Sequence, residues 1–320
     1  MAVATVSSCT AIEADNGLRQ GYEAEPSVMA FSPVIGAPTR SVIDSGTDFP
    51  TDRTMQIAAY LGSGTGGTEG ALYFDGADGH GGVTYSYDNT ADAWKSATPF
   101  YWPLAGNLLI YAASTDAGDP SAAAATVTFT DKTGFTIACE GLGTGQDILA
   151  GMIAAATGSN NDIALSHTGA LIVVTAQSSD AFDATNNYGM EITGVTLLDV
   201  QPNTTVTCTK SSSKLSISAA ASGDVADKVV SSTAKQLGTT ATSLGKIIVP
   251  ANQTATSLKI DYKLYSGSAN GTPLSITHDL SGTWALGKKY TYQISATLGG
   301  ISVNAELTDW QDGDSSNINI

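Results

Sequence analysis

Apolar and polar residues alternate along most of this chain. In "SLKIDYKLY" (257–265), Leu258, Ile260, Tyr262 and Leu264 fall on one face, and Lys259, Asp261 and Lys263 on the other. That is the two-residue period of a half-buried strand. Residues 290–298 and 301–310 repeat the pattern on either side of Gly299-Gly300, which predicts a hairpin with a two-residue turn. Pairing Leu298 with Ile301 sets Ala296 against Val303, Ile294 against Ala305 and Tyr292 against Leu307, all on one face. Thr291, Gln293, Ser295, Ser302, Asn304 and Glu306 then form the wet face. Further short strands are predicted at 54–61, 71–74, 83–87, 107–114, 125–130, 162–167, 170–175, 191–200 and 214–220, punctuated by Gly, Asn, Asp and Ser. Only "DILAGMIAAA" (147–156) admits a short helix. The pattern predicts an all-β chain of two sandwiches joined near residue 160, with residues 1–26 as a leading tether, 27–160 as the first domain and 161–320 as the second.

Composition narrows the chemistry. The 320 residues carry a net charge of −16, and only 14% are charged. A surface this acidic repels phosphate backbones and anionic lipid, so nucleic acid is excluded as a partner and membrane contact by charge is disfavoured. With 42% hydrophobic residues there is enough apolar surface for a real core. Val6-Ser7-Ser8-Cys9 fits a bacterial lipobox, which places a lipid on Cys9 after signal cleavage; a chance run of small residues is the alternative. On the first reading the membrane is reached only through that anchor. Cys139 and Cys208 follow alternating apolar residues and read as two buried small hydrophobes, with a disulfide not implied.

Enzyme chemistry finds little purchase, and the chain reads as a non-enzyme without cofactor or metal. "VIDSGT" (42–47) offers Asp44 as half of an aspartic-protease dyad, but no second such triplet follows. "GSGTGG" (62–67) matches a glycine-rich phosphate loop but leads into "TEGALYF" rather than a helix, so it reads as a hairpin loop. The Asp-Gly loops at 75–82 and 309–317 lack the carboxylate spacing of a calcium loop, and three His leave little for zinc. "PFYWP" (99–103) could be a ligand platform, but aromatic clusters carry the largest area to bury, so Trp102 and Tyr101 read as core or core-edge. His167, in phase with Ile163 and Leu165, reads as structural.

The order of these elements resembles the fimbrillin family of Mfa-like, type V pilins. It rests on Trp94 ahead of "FYWP", then "LLIYAAS", "QDILAGM", "DIALSHTGALIVV" and the closing "GTWALGKKYTYQISATLGGISVNAELTDWQDG", over roughly residues 28–313. Such a resemblance implies two transthyretin-like, Greek-key β-sandwich domains in tandem. It also implies a fimbrial subunit, exported as a lipoprotein to the outer membrane and cell surface, with other fimbrial subunits as partners. The resemblance further implies that an Arg-specific protease removes the first strand and that a terminal strand of the next subunit fills the opened groove by β-augmentation. Arg19, Arg40 and Arg53 are the only Arg, and the 11 later basic residues are all Lys. Arg40 is the expected processing site, with residues 27–40 as the strand to be lost; Arg19 lies near the lipid Cys and Arg53 borders a strand. The tail after Trp310 offers only Ile318 and Ile320 as donor-strand anchors, which favours an accessory or tip subunit. The alternative is an outer-membrane lipoprotein adhesin that binds a host protein or glycan and never polymerises.

Overall fold

The structure, a computed structural model, describes residues 27–35, 49–76, 79–115, 124–143, 145–158, 161–297 and 299–309. Among them every regular element is a strand. The largest sheet runs in the order β1 (Ser32–Ile35), β10 (Asp162–His167), β9 (Leu149–Ala156), β6 (Leu108–Ser114), β2 (Met55–Leu61), β4 (Val83–Asp88) and β5 (Ala93–Ser96), with β3 (Leu72–Phe74) also on β2. All seven residues of β6 are buried because its two faces feed two cores. Leu109, Tyr111 and Ala113 enter one core and Leu108, Ile110 and Ala112 the other. A continuous apolar run is what a strand covered on both faces requires.

The first of those cores is closed by a four-stranded sheet in the order β14 (Lys214–Ser222), β13 (Asn203–Ser211), β8 (Gly134–Cys139) and β7 (Ala125–Asp131). The β13–β14 hairpin thus returns from beyond residue 200 to pair with β8. β10 likewise belongs to the first sheet, so the sheets do not divide at residue 160. The second sandwich packs β17 (Thr242–Pro250), β11 (Gly169–Ser178), β22 (Lys288–Thr297) and β23 (Gly300–Asp309) against β15 (Ala226–Ser231), β12 (Tyr188–Val200), β19 (Ser257–Ser266) and β20 (Thr272–Asp279). β16 (Lys235–Gln236) pairs with β12, and β18 (Gln253–Thr254) with β21 (Thr283–Trp284).

Two further sequence expectations change. Residues 149–156 form β9 rather than a helix. β9 hydrogen-bonds β6 on one side and β10 on the other, and a Cβ on Gly151 would lie 2.4 Å from the Ala164 carbonyl oxygen. Tertiary pairing overrides the weak helix preference of an Ala-rich run. In the closing hairpin, Thr297 pairs with Gly300 and Ala296 with Ile301, so Tyr292 faces Ala305 and Tyr290 faces Leu307. The register is offset by two from the expected one, which leaves every residue on its expected face.

Cys139 and Cys208 are free and buried. Their register partners, Thr204 and Phe135, put them four residues apart along paired strands, about 13 Å by strand rise and beyond disulfide reach. Burial pushes the Cys208 thiol and the Tyr60 and Tyr85 hydroxyls up to about 12, and Tyr111 further. Each raised value stabilises the fold fully below the group's ordinary range, and that contribution is lost as pH climbs toward the raised value. The urea midpoint is therefore expected to hold to about pH 9 and fall steeply between about pH 10 and 12. A flat midpoint across that window would contradict this burial.

Candidate functional site

From Val28 to Ile35 the segment alternates. Met29, Phe31, Pro33 and Ile35 are buried, whereas Ser27, Val28 and Ser32 are exposed. An extended chain with one apolar face does this when it is laid over a core. Here the core is the second face of the large sheet, built from Ile57, Tyr85, Trp94, Trp102, Ile110, Leu149, Ile163 and Leu165 among others.

The segment's main chain is bonded on both sides. Toward β5, Phe31 N donates to Trp94 O and Trp94 N to Phe31 O, each at 3.1 Å. Met29 N donates to Phe100 O at 2.7 Å, and Trp102 N to Ser27 O at 2.9 Å. Toward β10, Ser32 N donates to Asn161 O at 3.4 Å, Asn161 Nδ2 donates to Ala30 O at 2.7 Å, and β1 runs parallel to β10 from Ser32↔Asp162 to Ile35↔Leu165. Odd residues bond one flank and even residues the other, as in a central strand. Residues 27–35 therefore close the seam between the two ends of the large sheet. Pro33 is tolerated because its position faces Phe49, whose N donates to Pro33 O at 3.4 Å, and needs no donor of its own.

The deepest contact is aromatic. The Phe31 ring meets Tyr85 at 5.2 Å and Trp102 at 5.6 Å, each at 67°. Edge-to-face pairs add to area burial. Phe49 meets Trp94 at 5.5 Å in the same geometry. Burial raises the Tyr85 hydroxyl to about 12. Each of Met29, Phe31 and Ile35 stabilises its seat by roughly 1.5–3 kcal/mol. Emptying the seat would bare this apolar floor and leave β10 with a free edge, a template for any other strand.

Two residues beyond the last β1 partner on β10 lies a buried charge cluster. His167 Nδ1–H donates to Asp147, 3.0 and 3.2 Å from its two carboxylate oxygens. Arg53 Nη1 stands 3.9 Å from Asp147 Oδ2, an ion pair without a hydrogen bond. Asp147 is fully buried, and the Arg53 side chain is only 10% exposed. A protease subsite cannot reach an arginine so enclosed, so Arg53 is not a cleavage site of the folded chain.

Cys9, Arg40, Ile318 and Ile320 lie outside the described residues, as do Arg19, Asp44 and Trp310. Trp102 is buried, as the aromatic cluster predicts, but Tyr101 is 44% exposed and stands at the surface. The 62–67 loop joins β2 to β3, which pair as a hairpin. Among the described residues, no group of three or more His, Cys, Asp or Glu could hold a metal ion. The sequence pointed to the segment before residue 35 as a separable strand. It carried no signal that Tyr85 and Trp94 form its floor, or that Asp147 joins Arg53 and His167.

A family model described as fimbrillin-like matches residues 39–310. Comparison with curated proteins returns no match. Among solved structures, a fimbrial protein of Bacteroides vulgatus superposes with a TM-score of 0.56 at 13% identity, covering 88% of this chain and 99% of that one. A candidate cell adhesion protein of Bacteroides uniformis gives 0.51 at 16% identity over 89% and 99%, and another of Bacteroides ovatus 0.53 at 10% identity over 90% and 99%.

Proposed function

This chain belongs to the fimbrillin-like family, and on that premise we propose that it is a structural, accessory or tip subunit of a cell-surface fimbria, assembled by protease-triggered strand exchange and supporting adhesion. The carrying observation is the segment 27–35. It is bonded along both flanks, inserts four alternate side chains into an apolar floor, and closes a sheet that would otherwise present a free edge. A strand so placed is a plug whose loss creates a binding site for another strand. In this reading Cys9 carries the lipid that holds the precursor at the outer membrane, and cutting after Arg40 frees residues 27–40. Other fimbrial subunits are the partners. As a donor strand, Ile318 and Ile320 would reach only two of the four inward positions, too few anchors to hold the seat by themselves.

The alternative reading, a lipoprotein adhesin that never polymerises and takes a host protein or glycan, draws on a different observation. Leu72, Tyr73, Tyr101 and Leu104 are 51%, 37%, 44% and 68% exposed, and the Tyr73 hydroxyl donates to Tyr101 O at 2.8 Å. Exposed aromatics steadied in this way make a ligand surface.

The test is the N-terminus and intact mass of the protein taken from its own cell surface, with an Arg-specific protease digest of the folded chain alongside. A mature start at Ser41, and a digest that leaves Arg53 intact, are expected. A full-length chain bearing lipid on Cys9, untouched by the protease, would overturn processing and leave the adhesin.

A further inference from the structure

The plug is specific in a way that composition alone does not express. We infer that the slot filled by Phe31 selects the strand that can replace residues 27–35: an extended segment with large apolar side chains at alternate positions and an aromatic ring at the Phe31 register. The inference rests on the strand-exchange reading above.

Register is fixed first. Phe31 exchanges both main-chain hydrogen bonds with Trp94, and Met29 and Ser27 bond Phe100 and Trp102 two and four residues earlier. An incoming strand that satisfies these donors and acceptors has one residue whose side chain enters the slot. The slot wants a ring. Tyr85 and Trp102 present themselves to Phe31 at 67° with centroids 5.2 and 5.6 Å away. The walls are held in place, Tyr85 by β4, which pairs with both β2 and β5, and Trp102 by its bond to the plug's own main chain. A smaller side chain would leave a cavity that these walls cannot close by collapse.

Residues 311–320 do not meet the requirement. Residues 311–320, "QDGDSSNINI", contain Ile318 and Ile320 at alternate positions and no aromatic residue. Laid in the seat of a second copy, they would leave the slot empty.

The experiment uses the full chain with a recognition sequence for a site-specific protease placed at residues 38–43. After nicking, it is incubated with labelled synthetic peptides copying residues 27–35, the same peptide with Phe31→Ala, and residues 311–320. The first peptide is expected to enter. The Phe31→Ala peptide should bind about 100-fold more weakly, and the 311–320 peptide should show no uptake at the same concentration. Equal uptake of either with the first would overturn the slot assignment. If no peptide enters at all, strand exchange fails, and the slot is judged separately in the un-nicked chain. There Phe31→Leu, which keeps the apolar character but loses the ring, should lower Tm clearly more than Met29→Leu. Equal shifts would overturn the assignment.

Discussion

Replacing Asp147 with alanine is expected to destabilise the first sandwich by about 3–5 kcal/mol. The carboxylate is fully buried, receives His167 Nδ1–H at 3.0 Å and faces Arg53 at 3.9 Å. Without it the Arg53 guanidinium, only 10% exposed, loses its counter-charge in a place where water cannot solvate it. The cost is that of an uncompensated buried charge rather than the worth of the pair. Two controls separate these. Asp147→Asn keeps an acceptor for His167 but not the charge, and should recover only part of the loss. Arg53→Met combined with Asp147→Leu removes both charges, and should cost less than Asp147→Leu alone. Urea unfolding of these four variants and of Arg53→Met alone is the measurement. If the double variant is as unstable as the sum of its parts, the two side chains are not coupled and the cluster has been misread.

Trp284→Ala is expected to lose about 3–5 kcal/mol from the second sandwich. Trp284 is fully buried at the centre of that core. Its Nε1–H donates to the Tyr292 hydroxyl at 2.9 Å, and its carbonyl accepts from Asn252 N at 2.6 Å. The alanine variant leaves a cavity the size of an indole and a tyrosine hydroxyl without its donor. Tyr292→Phe isolates the second part and should cost only about 1 kcal/mol. Calorimetry gives the sharper readout, because a loss confined to one sandwich should split or broaden the transition. A Trp284→Ala transition that stays single and moves by less than a degree would contradict the packing described.

Both sites show what the sequence exposed and what it hid. Trp284 was visible only as an aromatic before the closing hairpin. Its partner Tyr292 lies eight residues on, across β21 and β22. For the charge cluster there was no local signal at all. Arg53 precedes β2, Asp147 precedes β9 and His167 ends β10. Nothing in the spacing of the three foretells their meeting, because sheet order rather than chain order brings them together. Phe31 stood in a run that the sequence marked as a removable strand, yet its ring contacts come from residues 85 and 102.

What the sequence determined by itself is the alternation. A side-chain period of two states which face of each strand is wet, and it placed 257–265, 107–114 and the closing hairpin as strands, where the structure has strands at 257–266, 108–114 and 288–309 around the turn. It also marked Cys139 and Cys208 as inward. Three things were left to the tertiary structure: the register of the closing hairpin, the strand state of 149–156, and the return of β13–β14 to the first sheet. The reason is common to all three. A shift of two residues preserves every face, an apolar run fits a buried strand as well as a helix, and a strand's partner is chosen by the free edge it finds. Leu307 bears the mark of that choice. It is on the core-side face by pattern, opposite Tyr290 by register, and 57% exposed because β23 is the last strand of its sheet.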